Sequence, residues 1–155
     1  MSLTIGIAAE TLPGERRLPV VPDVVKKYQG LGARIVMQKG AGKQAHYRDD
    51  TFADVEFVDS AEKVFAMSDI VCCVQPPPAD LIAAMQPGSV LVGLLQPWSD
   101  AERALLFARQ QVTAFAMELL PRITRAQSMD VLSSQANLAG YRAVIESATT
   151  FARGF

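Results

Sequence analysis

The chain has 155 residues, half of them hydrophobic, and a net charge of −1 from 15 basic and 16 acidic side chains. That is enough for one domain with a core of its own, and the balanced charge argues against a nucleic-acid binder and against a polybasic membrane anchor. No apolar run approaches the ~20 residues of a membrane span, and the opening MSLTIGIAAE lacks a signal peptide's charged n-region, so a cytoplasmic protein with small-molecule or protein partners is expected.

A first strand is predicted at residues 3–8 (LTIGIA), then the proline-rich loop ETLPGERRLPVVP and a helix over 22–31, opened by Pro22-Asp23 and closed by Gly30 and Gly32. The second strand covers 33–38 (ARIVMQ) and runs into the glycine-rich GAGKQA, and the third covers 55–58 (VEFV). A helix over 60–67 leads to the fourth strand, 69–74 (DIVCCV), and QPPP leads to a helix over 79–85 that Pro87-Gly88 ends. The fifth strand, 89–95 (SVLVGLL), passes through LLQPWSD, where Trp98 reads as a cap on the core. A helix over 99–110 follows, with Ser99-Asp100-Ala101-Glu102 offering a Ser-x-x-Glu capping box, and then the sixth strand, 112–117 (VTAFAM).

These strands are near-continuously apolar rather than alternating, as in strands covered on both faces. Their alternation with helices predicts an α/β fold: a Rossmann-like (flavodoxin-like), doubly wound, mostly parallel sheet. The last segment differs. Leu138, Tyr141, Ile145, Ala148, Ala152 and Phe155 fall at spacings of three and four, predicting a helix over 131–155 that is ~37 Å long at ~1.5 Å per residue. The expected organisation is a Rossmann-like subdomain over 1–130 and a long interdomain helix over 131–155 leading to something larger; a terminal helix packed back on the sheet is the alternative.

Several motifs invite a chemical reading. GAGKQA, residues 40–45, matches G-x-G-x-x-G/A after a strand, with Asp59 about 20 residues on. The dinucleotide fingerprint also needs a helix opening at the second glycine, and KQAHYRDDTFAD has no apolar helical stripe, so a turn with Gly40 and Gly42 at positive φ competes with a phosphate loop. His46, the only histidine, is either a general acid or base or a solvated surface residue. One histidine beside the adjacent thiols Cys72 and Cys73 predicts no zinc site and no disulfide framework; the cysteines read as buried thiols or a reactive pair. Arg17, with Glu10, Glu15 and Arg16 just after the first strand, is poised either to clamp an anion or to sit in a solvated charge run.

Residues 118–135, ELLPRITRAQSMDVLSSQ, gather Arg122, Arg125, Gln127 and Asp130 between the sixth strand and the last helix. Asp130 or Ser133 can cap that helix. Capping does not account for two arginines and a glutamine, and an amide flanked by guanidinium and carboxylate suits a planar carboxamide beside an anion.

PRITRAQSMDVLSSQANLAGYRAV, with GIAAETLPGERRLPVVP, GAGKQAHYRDDTF and MQPGSVLVGLLQP, resembles the N-terminal domain of the proton-translocating NAD(P) transhydrogenase alpha subunit, a domain family shared with alanine dehydrogenase. The resemblance covers essentially the whole chain. It implies a first Rossmann-like subdomain joined through the long helix to a second, NAD-binding one that is absent here. It further implies that Gln127 positions the nicotinamide carboxamide of NAD(H), that Arg122 holds the ring's orientation and the nearby nucleotide, and that Asp130 and Ser133 complete the hydrogen-bond set. The implied reaction is hydride transfer between NAD(H) and NADP(H), the latter on a partner domain, coupled to proton movement through a membrane domain. A homodimer, peripheral to the inner face of the cell membrane through its complex, is also implied, and the 155 residues alone are expected to be inactive. Alanine dehydrogenases, by the same resemblance, carry a lysine at the position of Gln75 and a histidine at that of Gln96. An alanine-dehydrogenase-like substrate domain and a stand-alone binding module are the alternatives.

Overall fold

The computed structural model describes residues 2–151. Six strands, β1 (Thr4–Ile7), β2 (Arg34–Gln38), β3 (Glu56–Val58), β4 (Ile70–Cys72), β5 (Val90–Gly93) and β6 (Thr113–Ala116), form one sheet in the order β3-β2-β1-β4-β5-β6. Every neighbouring pair is parallel. This is the Rossmann order, in which the strand sequence turns back between β1 and β4. Each strand is shorter than its apolar run by a residue or more, because the ladder stops where the chain bends into the next loop.

Four helices make the crossovers: α1 (Pro22–Gly30), α2 (Ala61–Met67), α3 (Ala79–Ala83) and α4 (Ala101–Arg109). The β2-to-β3 connection has none, only 3-10 turns at Lys43–Ala45 and Asp49–Thr51. Successive side chains of a strand point to opposite faces, and β2 shows the consequence: Val36 enters one core while Ile35 and Met37 enter the other. Val64 and Phe65 of α2, Leu81 and Ile82 of α3, and Phe107 of α4 close the first core; Val25 of α1 with Leu18, Val20, Ala41 and Phe52 close the second. Each of these valine, leucine, isoleucine and phenylalanine side chains contributes about 1.5–3 kcal/mol on burial. α2 lies so close over β1 that a Cβ on Gly6 would stand 2.8 Å from Ser68 Cβ and 2.9 Å from Val64 Cγ1.

The local signals resolve unevenly. Pro22 sits in the first turn of α1, and Gly32 and Gly88 take positive φ at the stops. The cap of α4 is Asp100, not Ser99: the Asp100 carboxylate accepts from Arg103 N at 3.0 Å, while Ser99 Oγ donates to Gln96 O. One residue later in register, the carboxylate reaches the third helical N–H and Glu102 falls in the first turn rather than at the box position. Trp98 is 68% exposed and caps nothing.

The chain divides into two compact units, Met1–Ala116 and Met117–Phe155. The second holds 3-10 turns at Met117–Leu119 and Thr124–Met129 and the helix α5 (Val131–Thr150). At 20 residues α5 is ~30 Å long. It stops before the predicted end: Phe151 is extended at φ −75° and ψ 120°, and Ala152 and Phe155 lie outside the described residues. Apolar side chains occur around α5, with Leu138, Tyr141 and Val144 all at least 60% exposed.

Candidate functional site

In the second unit the residues 122–133 are arranged around a helix start. Asp130 takes an extended backbone and caps α5: its Oδ1 accepts from Ser133 N at 3.0 Å and its Oδ2 from Ser133 Oγ at 2.6 Å. These bonds to Ser133, side chain first, and the positive charge of Arg122 hold the carboxyl below its ordinary range. Residues Thr124–Met129 form a 3-10 segment, pinned by buried Ala126, whose N–H donates to Ile123 O at 3.0 Å. Gln127 and Arg125 ride on this segment, with Arg122 just before it. All three are exposed and make no side-chain hydrogen bond among the described residues. The structure thus joins Asp130 to Ser133, sets Arg122 within electrostatic reach of Asp130, and leaves the polar heads of Gln127 and Arg125 turned to solvent.

In the first unit, the carboxyl ends of β1 and β4 carry a second polar cluster. Glu10 accepts from Val74 N at 2.5 Å and Gln75 N at 3.0 Å. Burial raises its pKa; the two N–H groups and Arg17 pull the other way and do not cancel it. Glu15 receives Arg17 Nε at 2.8 Å, Arg17 NH2 at 2.6 Å and Gln75 Nε2 at 2.8 Å. Its pKa falls to about 2, chiefly through the Arg17 guanidinium. Arg17 is therefore not an open anion clamp, since a carboxylate two residues upstream in the same loop already meets its guanidinium, which remains 40% exposed. The bonds from Glu10 and Glu15 to residues 74 and 75 span 60 or more positions, and no local pattern in the sequence announces them.

The remaining motifs are structural here. No α-helix opens at Gly42, only the 3-10 turn Lys43–Ala45, so GAGKQA does not present the α-helix N-terminus on which the fingerprint seats a pyrophosphate. Gly40 takes φ +75° as expected, but Gly42 has φ −78°; it is small because a Cβ would stand 2.8 Å from Tyr47 O. His46 is exposed, with Nε2 at 2.9 Å from Arg16 NH2, and no nucleophile is bonded to it. Cys72 and Cys73 are half-buried thiols outside any disulfide, and burial pushes the Cys72 thiol up to about 11. Among the described residues no group of three or more His, Cys, Asp and Glu side chains could hold a metal ion, and no helix is long and apolar enough to cross a membrane.

The family described as alanine dehydrogenase/PNT, N-terminal domain, matches residues 6–139. The chain is 42% identical to an NAD(P) transhydrogenase subunit alpha chain of Rhodospirillum rubrum, over 99% of this chain and 42% of that protein. A solved transhydrogenase from Sinorhizobium meliloti superposes with a TM-score of 0.91 at 39% identity, over 97% of this chain and 45% of the other. A solved L-alanine dehydrogenase shares the fold at a TM-score of 0.71 and 24% identity, over 75% of this chain and 32% of the other. The chain thus spans less than half the length of these relatives.

Proposed function

This chain belongs to the alanine dehydrogenase/PNT N-terminal domain family, and from that premise we propose that it is the N-terminal portion of the NAD(H)-binding subunit of an NAD(P) transhydrogenase. The reaction is hydride transfer between NAD(H) and NADP(H), with NADP(H) on a partner domain and proton translocation through a membrane domain, and the subunit works as a dimer at the membrane's inner face. Identity to the Rhodospirillum rubrum alpha subunit over nearly all of this chain supports the reading. So does the exposed apolar surface of α5, which suits packing against the remainder of a larger subunit.

The observation that carries the site assignment is that the polar heads of Arg122 and Gln127 are exposed and uncommitted beside an ordered Asp130–Ser133 pair. A carboxamide needs both a donor and acceptors opposite it, and the Gln127 amide supplies both. Ser133, donating its proton to Asp130, keeps its oxygen lone pairs for an N–H of the ligand. Arg122 supplies a guanidinium for the nucleotide's negative charge. Bound NAD(H) would supply the hydride. Because such a transfer moves no proton at the reacting carbons, these side chains need to orient the ring rather than act as acid or base. The pyrophosphate belongs to the second subdomain, since the turn at Lys43–Ala45 offers it no helix N-terminus.

The alanine dehydrogenase reading is weakened by Gln75 and Gln96, neutral amides where imine chemistry needs proton transfer. Substituting Gln127→Asn in the intact enzyme tests the proposal, because it retracts the amide by one methylene while keeping its chemistry. Single-turnover hydride transfer is expected to slow by about tenfold to a hundredfold while NADH affinity changes far less. Equal losses in both would reduce Gln127 to a binding contact.

A further inference from the structure

A 3-10 helix has about three residues per turn, so side chains three apart fall in one row and neighbouring rows stand about 120° apart. Thr124–Met129 therefore presents three rows, and buried Ala126 marks the inward one. Thr124 and Gln127 form the row on one flank, which leads on to Asp130, while Arg125 and Ser128 form the row on the other. All four are exposed. Arg125 and Gln127, neighbours in the sequence cluster, are thus turned to opposite flanks. Their charges are also unequally met. Residues 122–133 hold two arginines and one acidic side chain, and that carboxylate, Asp130, is bonded to Ser133 and lies within electrostatic reach of Arg122. Glu118, in the turn before, is engaged with a group other than Arg125, which has no ion-pair partner among the described residues. On the same stretch Leu119 and Ile123 are each 55% exposed and Met129 is 50% exposed. Arginine and methionine among exposed apolar residues is the composition of a protein–protein interface.

We propose that Arg125, on the flank turned away from Gln127, docks the NADP(H)-bearing partner domain by pairing with an acidic side chain of that domain, with Ile123 and Met129 making apolar contact beside it. This contact rests on the nicotinamide role proposed above for Arg122, Gln127, Asp130 and Ser133. Two nicotinamides exchange a hydride only with their reacting carbons about 3–3.5 Å apart. The domain that carries the second nucleotide must therefore come against the segment that holds the first. Exposed isoleucine and methionine side chains add contact area without direction, whereas an unpaired guanidinium selects a carboxylate and orients the approach. Arg125 is the charge in this segment that no carboxylate of the described residues answers.

Single-turnover hydride transfer in the intact complex at low ionic strength tests this, with NADH affinity measured on the same samples. Arg125→Ala is expected to slow transfer about tenfold, Arg125→Glu to slow it further, and Arg125→Lys, which keeps the charge, to retain most of the rate. NADH affinity and the KM for NADPH are expected to hold in all three. At about 1 M salt, where the Debye length shrinks to ~3 Å, the wild type is expected to fall towards the rate of Arg125→Ala. Wild-type rates in Arg125→Glu overturn the proposal. A loss of NADH affinity that matches the loss of rate also overturns it, by placing Arg125 on the first nucleotide. So does a raised KM for NADPH, which would move the contact to that nucleotide's own phosphates. The two readings fail distinguishably: a complex whose wild type transfers no hydride defeats both, whereas an active complex indifferent to Arg125→Glu defeats the docking contact alone.

Discussion

Glu10 and Glu15 show how two residues of one type acquire opposite electrostatics within a few ångströms. Glu15 meets a guanidinium and an amide and ionises more readily, with a pKa of about 2, whereas Glu10 loses more solvation than its two N–H donors return, so its pKa rises. Their linkage to stability has opposite signs. Between the unfolded carboxylate value of ~4.3 and about 2, the unfolded chain binds Glu15's proton and the folded chain does not. Glu15 therefore stabilises the fold above that window and loses its contribution as the pH falls through it. Glu10, with its folded value raised, contributes most below its unfolded pKa and loses that contribution as the pH rises. Urea denaturation at pH 7, 4.5 and 3 is expected to show a steeper loss between 4.5 and 3 for wild type than for Glu15→Gln. Matching slopes would mean that the ion pair does not persist in solution. Cys72 gives a second residue-scale expectation. With its thiol near 11, it should resist iodoacetamide at pH 8 in the folded protein and react readily in denaturant, as read by peptide mass, because the thiolate is the nucleophile.

At the scale of the element, all six strands were legible from their apolar runs; the inner strands are covered on both faces, Ile35, Val36 and Met37 filling two cores with consecutive residues, whereas the edge strand β6 keeps its apolar residues although it is largely exposed. Cap register was less legible. Ser99 and Asp100 are both good capping residues, and which one serves depends on where α4 docks, a tertiary matter that a four-residue pattern does not encode. Asp100→Ala should cost about 1 kcal/mol, measured as a shift in denaturation midpoint, and Ser99→Ala should stay within about 0.5 kcal/mol. The reverse ranking would restore the Ser-x-x-Glu box. Residues 122–133 were recognisable as a constellation because Arg122, Gln127, Asp130 and Ser133 are close in sequence. The Glu10–Gln75 and Glu15–Gln75 links were invisible for the opposite reason, since the fold alone brings β1 and β4 side by side.

At the scale of the molecule, a Rossmann strand order is not by itself a nucleotide site. Dinucleotide binding at such a sheet needs an open crevice at the switch point and a glycine turn that opens a helix. This sheet has neither, because its crevice is filled by Glu10 and Glu15 and its glycine turn continues as a single 3-10 turn. The groups suited to a nicotinamide, Arg122, Gln127, Asp130 and Ser133, offer hydrogen bonds to one end of a large dinucleotide and no apolar enclosure, being mostly exposed. A contact set of that size leaves little after the translational and rotational cost of association. The 155-residue chain by itself is therefore expected to bind NAD(H) no more tightly than about 1 mM, by equilibrium dialysis or by the fluorescence of the reduced nicotinamide. A micromolar affinity would point back to GAGKQA as the phosphate loop. Gly40→Val would then separate the two cases: at φ +75° a β-branched residue distorts that turn, abolishing binding if the pyrophosphate sits there and leaving it intact if residues 122–133 hold the ligand alone.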